Sequence, residues 1–201
     1  MEDCNGRDIP LPPTFKLADA LDNEPLSSYQ TQIFQSLVGS YLYIARNTRP
    51  DIGHATWVLA CAMSKPTAPC LKAAFHLLRY LKSTRDQNLT YKFSSDANLV
   101  SDLNEHNVPV DFQTPTGFSD ANWVAPRSVS FTVIMYMNAA LLWRVRRQES
   151  TALSSVESEL SALSELAREM EYLNKILTDL KMHEKPQLPY PLYCDNRGAI
   201  E

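Results

Sequence analysis

The sequence lacks the cysteine spacing, the long apolar run and the basic charge that mark several protein classes. Its four cysteines are scattered, with no Cys-x-x-Cys pair, which disfavours a zinc site or a disulfide framework and fits a reducing compartment. The most apolar run, residues 131–143, contains Asn138 and is too short to cross a bilayer. The net charge of −4 gives no overall attraction to nucleic acid, so such binding requires local basic patches.

The first ten residues also lack a feature, namely the apolar stretch of a secretory signal peptide, and they are acidic instead. The 201 residues suffice for one domain or two small ones, and a hydrophobic fraction of 44% is ample for a core. We therefore expect an intracellular protein without a membrane segment, and cytoplasm and nucleus are equally compatible with it.

The first half of the chain has a helical pattern. Residues 1–28 contain four prolines with little periodicity and predict an extended arm. Helices are predicted at 29–46, 51–63 and 70–83 from apolar residues at 3-4 spacing, and a short strand is predicted at 88–93. We treat 29–93 as one helical segment.

Two of these helices have a predicted buried stripe. The first stripe consists of Ile33, Leu37, Ser40, Tyr41 and Ile44, and the second of Leu71, Ala74, Phe75, Leu78 and Leu81. Gly39, inside the first helix, predicts close packing against another helix.

A second, basic stripe follows the helix predicted at 70–83. It consists of Lys72, His76, Arg79 and Lys82. One interpretation is a solvated helix face; the other is a face that follows a nucleic-acid backbone through Lys72 and Arg79, as in a polymerase thumb.

The second half has a β pattern followed by one long helix. Residues 94–113 are polar and predict a linker, and 114–201 predict a separate domain. Within it, strands are predicted at 116–121, 131–137, 140–145 and 190–194, with a turn at Asn138-Ala139 and a long helix at 154–181 that begins after Ser154 or Ser155.

Acidic residues stand at the ends of these elements. Asp120 ends the first strand and Asp195 follows the last. The acid between them is Glu159 or Glu157, and helical phase favours Glu159, because it lies four residues before Leu163 on the apolar stripe. A buried acid costs free energy unless a cation or donor meets it. Converging carboxylates are how proteins hold Mg²⁺ against phosphates; separate caps or surface charges are the alternative.

Arginines cluster near the same strands. Arg144, Arg146 and Arg147 end the third strand, and Arg127 lies in the loop of the first hairpin. They would hold a nucleic-acid backbone beside the acids, or simply form a solvated strand end.

Several motifs in a fixed order resemble one family. YQTQIFQSLVGSYLYIARNTRPDI and KAAFHLLRYLKSTRDQNLTY resemble the stretch after the reverse-transcriptase core of copia-type retrotransposon polyproteins. GFSDANW, WRVRRQESTALSSVESELSALSE and LYCDNRGAI resemble the ribonuclease H domain of the same polyproteins. The resemblance covers roughly 29–93 and 117–201.

The resemblance implies an α+β fold, in which a helical thumb- or connection-like segment precedes a ribonuclease H-like mixed sheet with a long flanking helix. It also implies hydrolysis of the RNA strand of RNA–DNA hybrids with two Mg²⁺, or Mn²⁺, ions held by four acids, and Asp120, Glu159 and Asp195 match the first three. The sequence ends at Glu201, before the family's last strand and fourth acid, and has Phe131 where the family has glycine. We therefore expect a truncated domain with weak activity at best; a non-catalytic remnant that binds nucleic acid, or has no activity, is the alternative.

Overall fold

A computed structural model describes residues 4–91, 114–124, 127–182 and 189–200 of the chain. It divides into two compact units, Met1–Asn88 and Leu89–Glu201. The predicted linker at 94–113 lies outside the described residues. In the described part, no helix has both the length and the apolar character needed to cross a membrane.

The first unit is helical. Its elements are α1 (Leu17–Leu21), α2 (Ser28–Asn47), a 3₁₀ turn (Pro50–Ile52), α3 (Gly53–Cys61) and α4 (Ala68–Ser83). Helix α2 begins with a capping box, in which the Ser27 hydroxyl accepts from the Gln30 backbone and the Gln30 side chain accepts from the Ser27 backbone. The predicted arm at 1–28 therefore contains a short helix and the cap of α2.

The buried faces of α2 and α4 are rotated from the predicted stripes. Helix α2 buries Phe34, Val38, Tyr41 and Ala45, and α4 buries Cys70, Ala73, Ala74, Leu77 and Tyr80. Of the predicted residues, Tyr41 and Ala74 are buried and Leu37, Ile44, Leu71, Leu78 and Leu81 pack partly buried against the core, whereas Phe75 is exposed. Gly39 has no neighbouring atom within 4 Å of a Cβ placed on it, so the close packing predicted there is wrong. The predicted stripes are centred about one residue away from the buried faces, because each helix carries apolar residues over a wider arc than it buries.

The strand predicted at 88–93 is also wrong for the residues that the structure describes. Residues 88–91 have no strand assignment, although the Tyr91 hydroxyl donates a hydrogen bond to the Ala140 carbonyl within the second unit. A strand needs a hydrogen-bonded neighbouring strand, and residues 88–91 have none within the part of the chain that the structure describes.

The second unit is a mixed sheet covered by one long helix, as expected for a ribonuclease H-like α+β fold. The strands are β1 (Thr116–Asn122), β2 (Val129–Tyr136), β3 (Ala139–Arg147) and β4 (Leu192–Cys194), in the order β3-β2-β1-β4. The β1–β2 and β2–β3 pairs are antiparallel and β1–β4 is parallel. The parallel pair requires a crossover, which α5 (Ser155–Asp179) supplies before β4, and α6 (Arg197–Ile200) follows.

The core of this unit lies between the sheet and α5. It contains Ile134, Tyr136, Leu166, Met170, Leu173 and Leu177. The β2–β3 turn is formed by Met137 and Asn138, both at positive φ, rather than by the predicted Asn138-Ala139. A two-residue turn with two positive φ values matches the right-handed twist of the strands.

Candidate active site

Asp120 lies near the end of β1, and Asp195 directly follows the adjacent strand β4. Ser119 of β1 is paired in parallel register with Cys194 of β4, and each aspartate is the next residue along the chain. Because parallel strands end at the same edge of a sheet, the topology brings both carboxylates to one edge. Both side chains are exposed or partly exposed.

Glu159 reaches the same edge from helix α5. It is only 5% exposed, whereas Glu157 is exposed. Burial raises the pKa of the Glu159 carboxyl; a hydrogen bond from the Ala121 backbone opposes that rise, and the charges of Asp120 and Asp195 add to it. Glu159 is therefore a buried acid that two neighbouring carboxylates make costly to ionise, which is a setting that a bound cation would relieve.

Cys194 is a member of the site that the sequence interpretation missed. Its thiol lies 3.6 Å from Glu159 Oε2, and one donor atom each from Glu159, Cys194 and Asp195 fall within 4.8 Å of one another. Asp120 lies outside that group. Burial raises the pKa of the Cys194 thiol, and the nearby acids raise it further. Cys194 directly precedes Asp195 in the sequence, and that adjacency was the signal from which its place in the site could have been predicted.

The start of α5 is fixed by a cap and by a tryptophan. The Ser154 hydroxyl accepts a hydrogen bond from the Glu157 backbone, and the Glu157 carboxylate accepts from the Leu153 backbone at 2.6 Å. Trp123 Nε1, just beyond β1, donates to the Ala152 carbonyl. Glu157 is thus used as a cap residue, while Glu159 two residues later turns toward the sheet.

Three of the predicted arginines lie on β3, away from the strands that carry the aspartates. Arg144 and Arg146 are on β3, and β2 separates that strand from β1. Arg144 pairs with Glu169 at 2.7 Å, and Arg146 pairs with Glu149 at 2.9 Å and Glu165 at 3.5 Å. Arg147 and Arg127 are exposed. Two strand spacings of about 4.8 Å separate β3 from β1, so the structure does not gather the β3 arginines around the three acids; Arg127 lies in the connection between β1 and β2.

The basic stripe of α4 meets the N-terminal arm of its own unit. Arg79 donates to the Asn5 carbonyl, Lys82 to the Cys4 carbonyl, and the His76 ring contacts the Ile9 carbonyl. Lys72 is exposed on the same helix. Arg79 therefore has a structural partner, and Lys72 remains open to solvent.

The acids fit a hard divalent cation such as Mg²⁺, because carboxylate oxygens are its preferred protein ligands and one or two of them are typical. The observation that supports this fit is the buried Glu159 carboxyl facing two further acids. The Cys194 sulfur is a softer donor that Mg²⁺ does not take.

Comparison with known proteins gives relatives of one kind over most of the chain. The retrovirus-related Pol polyprotein from transposon TNT 1-94 of Nicotiana tabacum is 29% identical over 84% of this chain. The corresponding polyprotein from transposon RE1 of Arabidopsis thaliana is 28% identical over 83% of it. The chain spans only 11% and 10% of the lengths of these two polyproteins.

A shorter relative is matched almost throughout. The secreted RxLR effector protein 161 of Plasmopara viticola is 33% identical over 70% of this chain and 90% of its own length. No protein-family model and no solved structure matches the chain. The polyprotein relatives, found over most of the chain, agree with the motifs in the sequence, and the chain is homologous to copia-type retrotransposon Pol polyproteins.

Proposed function

We propose that the second unit is the ribonuclease H part of such a polyprotein and that it hydrolyses the RNA strand of RNA–DNA hybrids. The observation that carries the proposal is the position of Glu159, a buried acid on α5 that lies beside Asp195 and close enough to Asp120 on the adjacent strand for its charge to act on the Glu159 carboxyl. Three acids from separate elements at one sheet edge are difficult to explain as surface charges.

The roles of the three acids follow from their positions. Mg²⁺ or Mn²⁺, when bound, would activate a water and neutralise charge on the scissile phosphate. Asp120 and Asp195 would bind metal at the open edge, where the exposed strand ends leave room for the nucleic-acid backbone. Glu159 would bind the metal from its buried position on α5, and because the helix holds it, it would fix how far the metal lies from the sheet.

Nucleic-acid binding without cleavage is the second candidate. The observation in its favour is that Asp120 lies outside the group formed by Glu159, Cys194 and Asp195. A site with only two closely placed acids would bind one cation but would not hold the two ions that the cleavage reaction uses.

The test is cleavage of an end-labelled RNA–DNA hybrid by the full chain in Mg²⁺ and in Mn²⁺. Asp120→Asn, Glu159→Gln and Asp195→Asn should each lower the rate at least about 100-fold, since each removes a charged metal ligand. Glu157→Gln is the matched control, because it changes an exposed acid on the same helix and keeps the cap acceptor.

Two results would contradict the proposal. Cleavage that survives Asp120→Asn would come from a contaminating nuclease. Hybrid binding in a gel-shift assay without any cleavage in either metal would support the binding protein instead.

A further inference from the structure

Three donor atoms of different chemistry meet at the end of β4. They are a carboxylate oxygen of Glu159, the Cys194 sulfur and a carboxylate oxygen of Asp195, all within 4.8 Å of one another. They come from helix α5 and from two consecutive residues at the end of a strand, so the fold rather than one flexible loop holds them together.

An independent feature of β1 points into the same place. The Ser119 side chain is only 7% exposed, and among the described residues its hydroxyl oxygen has no hydrogen-bond partner. Ser119 is the register partner of Cys194 and lies two residues after Gly117, whose Cβ position faces Leu166 of α5. Its hydroxyl therefore lies on the α5 side of the sheet beside the Cys194 thiol, where it can meet a bound ion or that ion's water.

The donor set distinguishes between cations. Mg²⁺ prefers oxygen ligands, whereas Zn²⁺ and Cd²⁺ take thiolate sulfur together with carboxylate oxygen. Around a tetrahedral zinc ion, ligand atoms bound at about 2.0–2.3 Å lie roughly 3.3–3.8 Å apart. A spread within 4.8 Å is close to that requirement.

We propose that Glu159, Cys194 and Asp195 form a site for one thiophilic divalent cation, with the Cys194 sulfur as a ligand. The cation that we expect is Zn²⁺. The thiol releases its proton to solvent as the sulfur–metal bond forms. Because the ion uses two acids of the proposed nuclease site, it would exclude Mg²⁺ there and inhibit cleavage. The inhibition rests on the proposed function; the binding does not.

Binding is measured by titrating the full chain with Cd²⁺ and following the ultraviolet cadmium–thiolate charge-transfer band. We expect one equivalent to produce the band. Cys194→Ser should abolish it, and Glu159→Gln should weaken Cd²⁺ binding at least about tenfold. The matched control is the double variant Cys4→Ser and Cys61→Ser, which keeps Cys194 and should keep the band. A band of equal size in Cys194→Ser, or its loss in the double variant, would overturn the proposal.

A second measurement uses the unaltered chain and so does not depend on a variant folding. Cd²⁺ should slow alkylation of Cys194 by iodoacetamide at least about tenfold, as read from the Cys194 peptide by mass spectrometry, and should leave Cys61 unaffected. An unchanged Cys194 rate would sink the site. If the band and the protection are present but the hybrid is never cleaved, the metal site stands and the nuclease proposal fails. If the hybrid is cleaved but neither the band nor the protection appears, the nuclease proposal stands and the metal site fails.

Discussion

Gln148, at the end of β3, donates a hydrogen bond of 2.8 Å from Nε2 to the carbonyl of Ser158, in the first turn of α5. The same amide nitrogen donates to the Ser130 hydroxyl, and the side chain is only 2% exposed. Ser158 precedes Glu159, so this buried amide joins the edge of the sheet to the turn that carries the buried acid.

Removing this amide should loosen the start of α5. Gln148→Leu removes the donor to the Ser130 hydroxyl and the second donor to the Ser158 carbonyl, which should lower the free energy of unfolding by about 1–3 kcal/mol. Urea denaturation measures the loss, and hydrogen exchange of the first turn of α5 should become faster. Glu149→Gln, an exposed neighbour, is the control. Equal stability of Gln148→Leu and the native chain would mean that the amide contributes nothing to holding this turn.

Gly117 lies where β1 passes close under α5. A Cβ on this residue would lie 2.9 Å from Leu192 Cδ2 and 3.0 Å from both Cδ atoms of Leu166. Gly117→Ala should therefore destabilise the second unit by about 1–3 kcal/mol through overpacking. Gly39→Ala gives the comparison: it meets nothing within 4 Å on a helix and should stabilise the first unit by about 0.5–1 kcal/mol. Denaturant unfolding of both variants measures whether their changes in the free energy of unfolding have opposite signs. A stabilising Gly117→Ala would contradict the close contact with Leu166 and Leu192.

The Arg49–Asp51 pair should give the first unit a dependence on acid pH. Burial acts to raise the pKa of the Asp51 carboxyl, but hydrogen bonds from Arg49 and Tyr80 outweigh it and hold the pKa below its usual value. A carboxyl with a lowered folded-state pKa stabilises the fold above its unfolded pKa of about 3.9 and loses that contribution as pH falls through the folded value.

We therefore expect the amide protection factors in α2–α4, which compare exchange with the intrinsic rate at the same pH, to fall below about pH 4 in the native chain and to change less with pH in Asp51→Asn. Asp86→Asn, whose side chain is 91% exposed, should behave as the native chain does. Identical pH profiles for the native chain and Asp51→Asn would show that the pair has no linked proton.

Replacing Arg49 should strongly destabilise the first unit. It is 8% exposed and donates to Asp51, to the Thr84 carbonyl and to the Thr84 hydroxyl. Arg49→Ala leaves Asp51 without its partner and should lower the free energy of unfolding by about 3 kcal/mol. Thermal unfolding measures it, with the exposed Arg85→Ala as control. A loss below about 1 kcal/mol would place the pair among surface ion pairs of little value.

The N-terminal arm should depend on Ser83. The Ser83 hydroxyl donates to the Arg7 carbonyl and accepts from the Arg7 backbone N–H. Ser83→Ala should speed trypsin cleavage after Arg7 roughly several-fold, because local opening exposes the bond more often. Mass spectrometry of the fragments follows the rate, and Ser64→Ala is the control. An unchanged rate would mean that the other contacts of the arm suffice.

The sequence by itself determined the features that depend on local chemistry. The order of helices and strands and the identity of the buried acid followed from periodicity, and the resemblance of the motifs implied the α+β fold class. Glu159 could be preferred to Glu157 because 3.6 residues per turn relate it to Leu166 and Met170 over a long, strongly amphipathic helix. In α2 and α4 the same reasoning chose a stripe about one residue out of phase, because apolar residues surround much of each helix.

Only the tertiary structure decided which residues meet across elements. The parallel pairing of β1 with β4 sets Ser119 beside Cys194, and no local pattern relates two residues 75 positions apart. The same pairing adds a thiol to a site predicted to contain acids alone. Likewise, Arg79 donates to a carbonyl of the N-terminal arm instead of facing solvent. Arg144 and Arg146 form ion pairs with glutamates of α5. Sequence patterns follow the face of one element, whereas contacts depend on which second element covers that face.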